Sequence, residues 1–361
     1  MRNAEEAADR VDPDDGEAAG FGGIRRTERE TAMPSVLGSV RRLLMSPSLA
    51  EVTFARRGFP GEPSAVTRRL EAVPQAVVCG FEWGIDTRDL WELERRLDLV
   101  DGELAGFAYE GATMACTLLD VLPPGRGTRT RNLLRGPGDR HLFLAYIGIG
   151  FAMARLPRRL WRHVVPDLTG SPYHPTMTWL AVDGYGFDRA FFDVERYVAR
   201  QERLGAYPWQ GHADYFARAV DQGIGRALWF IHGGRAADVI TAVQSFAEQR
   251  HGDLWSGVGL AATFAGGGTP TGLAAIRRAA GPYVGDLAQG AAFAAKARSH
   301  AGYVPEHSET AMWVLGDRSV ADAARLASDA VSAAAEPGLP AYEVWRRQIR
   351  ARLVPADAAR S

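Results

Sequence analysis

Glycines interrupt the apolar stretches of this chain where helical periodicity is strong. Each glycine inside a helix costs about 1 kcal/mol relative to alanine, so the folded protein must offset that cost. Two explanations are open: helix backbones that pack closely, or space for a ligand lying against the helices. Eleven glycines lie inside or beside such patterns: Gly80, Gly84, Gly106, Gly111, Gly148, Gly150, Gly223, Gly225, Gly257, Gly259 and Gly290.

The apolar residues recur with helical spacing from residue 35 onward. Leu90, Leu93 and Leu97 fall at three- and four-residue intervals with arginine and glutamate between them, as on one face of an amphipathic helix. Alternation typical of strands is almost absent. We therefore predict an all-α fold, with helices that include 103–121, 141–156, 176–198, 213–232, 236–249, 253–265, 271–280, 284–299 and 308–332.

The second half of the chain resembles the first half in order. Gly111–Ala115 recurs as Ala261–Ala265, and Gly148–Ala152 recurs as Gly290–Ala294. Collinear matches of this kind indicate a tandem duplication, with two helical halves packed as one pseudo-symmetric unit. The predicted organisation is a disordered acidic tail over 1–33, a first helical half over 34–205, a second half over 206–332 and a C-terminal extension over 333–361.

Composition places the chain among ordinary globular proteins. Hydrophobic residues make up 46% and charged residues 24%, and a formal net charge of −1 gives no reason to expect nucleic acid as a partner. Cys79 and Cys116 are far apart in apolar runs, which is typical of buried reduced thiols in a cytosolic protein. The longest apolar run, 142–154, is too short to span a bilayer. We predict a cytoplasmic protein that reaches a membrane only through a partner.

The motifs of common enzyme classes are missing. There is no GxSxG, no HExxH, no P-loop and no GxGxxG between a strand and a helix. The eight histidines form no i, i+4 pair and have no acidic residue at the spacing of metal ligands. We expect neither a metal ion nor a redox cofactor.

An alignment of the two halves shows where they differ in chemistry. Glu82 and Glu110 align with apolar residues of the second half, and His232 aligns with Trp83. Both carboxyl groups lie in apolar helical runs, and burial raises the pKa of a carboxyl so that it can hold a proton near neutral pH. We predict Glu82, Glu110 and His232 as candidate catalytic residues. The structural alternative is an ion pair with an arginine such as Arg226.

Further polar and aromatic residues are candidates for ligand contacts. The stretch 221–232 is the densest run of polar and aromatic side chains on an apolar helix, and such a helix could line a pocket. Alternatively, Asp221 and Arg226 are surface residues near a helix end. The predicted substrate-binding residues are Tyr109, Tyr146, Asp221, Gln222, Arg226, Trp229 and Gln289.

Four runs of the chain resemble a known family. The runs 34–44, 106–115, 146–155 and 221–230 are similar to the UnbL-type proteins, which actinobacterial gene clusters for enediyne antibiotics encode. The resemblance covers about 34–330. It implies a role in building or handling the enediyne core, alongside a polyene-forming polyketide synthase and the companion proteins UnbU and UnbV. It assigns no catalytic residue.

These observations support two main hypotheses. The first is a cofactor-independent enzyme of the cyclase or isomerase type, which binds a linear polyene or partly cyclised enediyne intermediate in a cleft between the halves and moves protons through Glu82, Glu110 or His232. The second is a non-catalytic protein that shields the polyene or docks UnbU or UnbV. A purely architectural helical scaffold is a third alternative.

Overall fold

The computed structural model describes residues 48–87, 89–123, 127–331, 336 and 338–353. The predicted acidic tail over 1–33 lies outside the described residues. Within the described ranges the fold is all-α, as predicted, and contains no strand. None of the helices combines the length and apolar character that a membrane crossing needs. The α-helices are α1 (Phe54–Arg57), α2 (Ala65–Asp86), α3 (Leu90–Leu97), α4 (Gly102–Val121), α5 (Arg129–Arg135), α6 (Leu142–Arg155), α7 (Trp179–Phe192), α8 (Ala213–Ile231), α9 (Ala236–Ser245), α10 (His251–Ala265), α11 (Pro270–Ala280), α12 (Val284–Ala301), α13 (Glu306–Gly316), α14 (Val320–Asp329) and α15 (Ala341–Leu353).

Two predicted helices are interrupted in the structure. The helix predicted over 308–332 is two helices, because Asp317 adopts a left-handed conformation with φ of 54° after α13. The hydroxyl of Ser319 then caps α14 by accepting a hydrogen bond from the backbone amide of Asp322 at 3.1 Å. The helix predicted over 176–198 likewise ends as α7 at Phe192, before a separate short π-helix over Glu195–Ala199.

Seven of the longer helices pack side by side in the order of the sequence, and we call this arrangement the helix row: α2, α4, α6, α7, α8, α10 and α12. Trp179 contacts Tyr215 near the start of α7 and α8, and Phe187 contacts Phe230 toward their ends. These two helices are therefore parallel, and contacts between other neighbours follow the same order. Shorter segments, among them α3, α5, α9 and α11, connect one helix of the row to the next.

Glycines bring the backbones of the helix row into direct contact. A Cβ atom on Gly150 would lie 2.1 Å from the carbonyl oxygen of Ala181, and one on Gly223 would lie 1.9 Å from that of Asp183. No side chain fits at such distances, so close packing explains these glycines and offsets their cost in helix stability. The same holds for Gly80, Gly111, Gly148, Gly184, Gly186, Gly225, Gly257, Gly259 and Gly290.

The glycines repeat once per helix. Residues two apart on a helix point about 200° away from each other, so a Gly-X-Gly sequence presents glycine to both neighbours. Gly148 meets the carbonyl of Glu110 on α4, whereas Gly150 meets that of Ala181 on α7. The repeating unit is one helix of the row with its connection, and the predicted duplication of whole halves stays a prediction. Four helices of the row, α6, α7, α8 and α10, contain such a sequence, which begins at Gly148, Gly184, Gly223 and Gly257 respectively.

The helix row curves until distant members touch. The rings of Phe107 on α4 and Phe264 on α10 are 5.2 Å apart between centroids. Arg298 of α12 donates hydrogen bonds to the carbonyl oxygens of Glu103 at 2.9 Å and Phe264 at 2.6 Å. Because α6, α7 and α8 lie between α4 and α10 along the row, these contacts enclose an interior.

The last described helix, α15, packs against this interior. Its buried Arg346 donates hydrogen bonds to Asp253 at 2.7 Å and to the Tyr215 hydroxyl at 2.8 Å. Its Trp345 stacks on Phe293 of α12, with ring centroids 4.2 Å apart. The segment set apart in the sequence as a C-terminal extension therefore contains a helix that belongs to the core.

Candidate functional site

Two adjoining cavities occupy the enclosed interior. The first, the acid cavity, lies between α2, α4, α6, α7 and α8 and has a volume of about 70 Å³. Its charged lining residues are Glu110, Arg155, Asp188 and Arg226, and the rest of its wall is apolar, with the aromatic residues Phe81, Phe107, Phe151, Phe187, Phe191, Phe192 and Phe230.

The second cavity, the apolar cavity, lies between α4, α6, α7, α8, α10, α12 and α15 and has a volume of about 30 Å³. Its described lining includes Leu144, Leu260 and Phe293, and Arg226 is the one charged residue among them. Phe107, Arg226 and Phe230 line both cavities. The two spaces therefore adjoin at these three side chains.

Glu110 is a buried carboxyl group on the wall of the acid cavity. It is 2% exposed, and its side chain has no hydrogen-bond partner among the described residues. Burial raises the pKa of Glu110 to about 8, although the charge of Arg226 acts in the opposite direction. The carboxylate of Asp183 raises the pKa further. The group is therefore mostly protonated at neutral pH.

The positive charge nearest to this carboxyl is already paired. Arg226 donates a 2.5 Å hydrogen bond to Asp183, and both side chains are buried. Gln222 donates to the other oxygen of Asp183 at 2.6 Å and to the Tyr342 hydroxyl at 2.9 Å. The ion pair proposed for Glu110 is thus made by Asp183, which leaves Glu110 without a salt bridge.

Most of these polar residues occupy the same position in successive helices of the row. It is the residue immediately before the glycine that contacts the preceding helix, and we call the set the pre-glycine belt: Glu110, Ile147, Asp183, Gln222, Ser256 and Gln289. Besides the bond between Asp183 and Gln222, Ser256 donates to Gln289 at 3.1 Å, and Arg346 donates to Gln289 at 2.9 Å. The polar residues of the belt are therefore hydrogen-bonded, with Glu110 as the exception.

A second ion pair borders the acid cavity. Arg155 donates a 2.7 Å hydrogen bond to Asp188, whose side chain is buried while that of Arg155 is partly exposed. The guanidinium of Arg155 also lies over the ring of Phe192, 5.3 Å from its centroid. Both arginines that line the cavity thus have a carboxylate partner. With Glu110 protonated, the cavity carries no net charge.

Several predicted binding residues have structural roles outside both cavities. Asp221 accepts hydrogen bonds from Arg250 at 2.6 and 3.1 Å, and Trp229 donates to the carbonyl oxygen of Gly266 at 2.8 Å. The Tyr146 hydroxyl lies 3.4 Å from Nδ1 of His174. These side chains join neighbouring helices and loops to each other. Asp221 and Arg226 are both buried, so neither is the surface residue of the alternative interpretation.

Tyr109, Glu82 and His232 also lie away from the cavities. The ring of Tyr109 packs against His141 at 4.6 Å between centroids, and burial raises the pKa of its hydroxyl to about 12. Glu82 is half-buried on α2 and lines neither cavity. His232 is the C-cap residue that follows α8, and burial lowers its pKa. The structure does not bring Glu82 or His232 to the cavity that contains Glu110.

Sequence reasoning did not select Asp183, Asp188, Arg155 or Tyr342. The signal for Asp183 is the same as for Glu110: an acidic residue directly before a helix glycine, here Gly184 in Val182-Asp183-Gly184-Tyr185-Gly186. Glu110 and Asp183 occupy equivalent positions when single helices of the row are aligned by these glycines, but not when the two halves of the chain are aligned. No comparable signal marks Tyr342, because its role depends on how α15 folds back.

Among the comparisons with known proteins, one family model matches the part of the chain that contains this site. Among the described residues no three histidine, cysteine or acidic side chains are grouped as a metal ion would require. Neither the curated proteins nor the solved structures include a match to the chain. A family described as protein of unknown function (DUF1702) matches residues 36–353. That range covers most of the chain and includes the described residues that line the two cavities, so the chain belongs to the DUF1702 family.

Proposed function

We propose that this protein binds a linear polyene or a partly cyclised enediyne-core intermediate in the acid cavity and moves protons on it without a redox cofactor. The pathway in this proposal rests on the resemblance to the UnbL-type proteins. Two of the runs that carry the resemblance, 106–115 and 221–230, contain Glu110 and Arg226. The chemistry rests on one observation: the carboxyl group of Glu110, whose pKa burial raises to about 8, lies on the wall of a largely apolar cavity in which both arginines are already paired.

The lining of the acid cavity suits a flat apolar chain, because most of its residues are apolar. Phe151, Phe187 and Phe230 contribute aromatic faces and edges to the wall, and such rings pack well against a conjugated system. An apolar wall also excludes water, which protects a reactive polyene and strengthens electrostatic interactions within the cavity.

In this proposal Glu110 acts first as an acid and then as a base. It donates its proton to the conjugated chain, and the positive charge of Arg226 stabilises the carboxylate that remains. The carboxylate then removes a proton from another carbon of the same chain, which restores the starting form of Glu110. The net change is an isomerisation or a ring closure that needs no external acid, oxidant or reductant.

Replacement of Glu110 by glutamine tests this function. Glutamine has nearly the same shape but cannot give up a proton, so Glu110→Gln should still bind a synthetic linear polyene and should not support enediyne production in the producing cells. Glu82→Gln is the matched control, because Glu82 lines neither cavity, and it should retain production. Full production with Glu110→Gln would contradict proton transfer and would favour the non-catalytic binding protein.

The companion proteins UnbU and UnbV belong to the proposal on the resemblance alone, whereas the proposed cytoplasmic location rests on the two cysteines, which are typical of buried reduced thiols. Co-purification of either protein with this chain from a cytoplasmic extract would support a shared assembly. If neither protein co-purifies, the assembly part of the proposal fails. The chemistry assigned to Glu110 does not depend on that result.

A further inference from the structure

Two side chains that line the acid cavity, Arg226 and Glu110, each have a hydrogen-bond donor without a partner among the described residues. Nε of Arg226 is buried and has no hydrogen-bond partner among the described residues, although another nitrogen of the same guanidinium binds Asp183. Glu110 is the second donor when its carboxyl is protonated. A buried donor without an acceptor costs free energy, so both groups are suited to an oxygen atom that a ligand brings into the cavity.

The charges around the cavity select a neutral ligand. Arg226 is paired with Asp183, and Arg155 is paired with Asp188. A ligand carboxylate would therefore enter a buried space with no uncompensated positive charge, and the cost of removing it from water would not be recovered. A carbonyl oxygen accepts two hydrogen bonds without adding charge.

The apolar cavity shows where the rest of the ligand goes. It begins at Phe107, Arg226 and Phe230, which are also the residues that border the acid cavity. Its described lining also includes Ala261, Ala294 and Phe293, and it contains no further charged group. A ligand chain that extends from the two donors into the apolar cavity would contact only apolar side chains beyond Arg226.

We propose that the ligand of this site is a neutral, linear, apolar chain that carries a carbonyl group, with its oxygen bound by Arg226 and Glu110 and its chain in the apolar cavity. This inference rests on the proposed function and narrows its substrate from polyenes in general to polyenes with a carbonyl oxygen.

Three probes of equal chain length test the inference: a linear methyl ketone, the n-alkane and the n-carboxylate. Titration calorimetry with the full chain should give a Kd for the ketone about tenfold or more below that of the alkane, as expected for hydrogen bonds to buried donors. The carboxylate should bind more weakly than the ketone. Equal affinity for ketone and alkane would overturn the inference but not the proposed apolar site. If no probe binds, both fail.

Two variants locate the parts of the ligand. Glu110→Leu removes one donor and should reduce the preference for the ketone, whereas Glu110→Gln retains an N–H donor and should keep most of it. Ala294→Leu, which fills the apolar cavity, should weaken binding of a long ketone more than that of a short one. Circular dichroism identifies folded variants. An unchanged ketone preference in folded Glu110→Leu, or equal losses for both chain lengths in folded Ala294→Leu, would contradict the arrangement.

Discussion

Arg226 donates its 2.5 Å hydrogen bond to Asp183 and not to Glu110, although Arg226 and Glu110 line the same cavity. Because Arg226 pairs with Asp183, Glu110 has no salt bridge, and its pKa is raised. Asp183 provides the negative charge that a buried guanidinium needs, and Glu110 is left in an apolar environment that favours its neutral form. The structure thereby separates a structural carboxylate from one that can hold a proton.

Glu110→Gln should increase stability in a way that depends on pH. The folded-state pKa of Glu110 is about 8, above its ordinary value of 4.5, so the folded state holds the proton while the unfolded state loses it. Stability from this group is present below the ordinary pKa and is lost as the pH rises toward 8. The gain from glutamine should grow by about 1.4 kcal/mol per pH unit over this window. Thermal unfolding of both proteins at several pH values measures it, and parallel profiles would contradict it.

Asp183→Asn should lower the pKa of Glu110. The carboxylate of Asp183 raises that pKa, and its removal also frees Arg226 to pair with Glu110. The effect of Glu110→Gln on stability should then vary less with pH when Asp183→Asn is also present. Thermal unfolding of the wild type, the two single variants and the double variant gives the comparison. The same pH dependence with and without Asp183→Asn would show that Asp183 does not control Glu110.

Two glycines of α12 should respond to alanine in opposite directions. A Cβ on Gly290 would lie 1.8 Å from the carbonyl oxygen of Ser256, so Gly290→Ala should destabilise the protein by about 2 kcal/mol or more. A Cβ on Gly285 would lie 3.9 Å from the Arg350 side chain, so Gly285→Ala should stabilise the helix by up to about 1 kcal/mol. Urea unfolding measures both. Equal effects would refute the backbone contact between α10 and α12.

Glu343 of α15 should make the protein sensitive to acid. Burial alone would raise the pKa of Glu343, but Arg346, Arg218 and Arg350 outweigh it and lower the pKa to about 2. Such a group adds stability above its ordinary pKa of 4.5, and the contribution is lost as the pH falls toward 2. Glu343→Gln should therefore be less stable at neutral pH, with a deficit that shrinks in acid. A constant deficit in thermal unfolding would contradict the account.

The helices were predictable from the sequence because their apolar spacing is regular. The predictions over 103–121, 141–156 and 213–232 correspond closely to α4, α6 and α8. The side-by-side packing of the row also depends on a short sequence pattern, because the two glycines of each Gly-X-Gly contact the two neighbouring helices. Gly184 and Gly186 were not among the glycines selected from the sequence, so the recurrence of the glycine pattern in successive single helices was not predicted.

The candidate site was predictable only in part. Glu110 stands out in the sequence because an acidic residue in an apolar helix must be buried or paired. Which carboxylate pairs with Arg226 depends on the register between α4, α7 and α8, and this is a tertiary property. Glu82 and His232 became candidates through an alignment of halves, whereas the contacts in the structure follow single helices.

The protonation state of Glu110 in the folded protein is the most direct test of the account. Infrared difference spectra of the wild-type protein against Glu110→Gln, recorded across a pH titration, isolate the C=O stretch of this one carboxylic acid. The account predicts that the band is present at neutral pH and disappears with a midpoint near 8. A midpoint near the ordinary value of 4.5 would show an ionised Glu110 at neutral pH and would contradict the account.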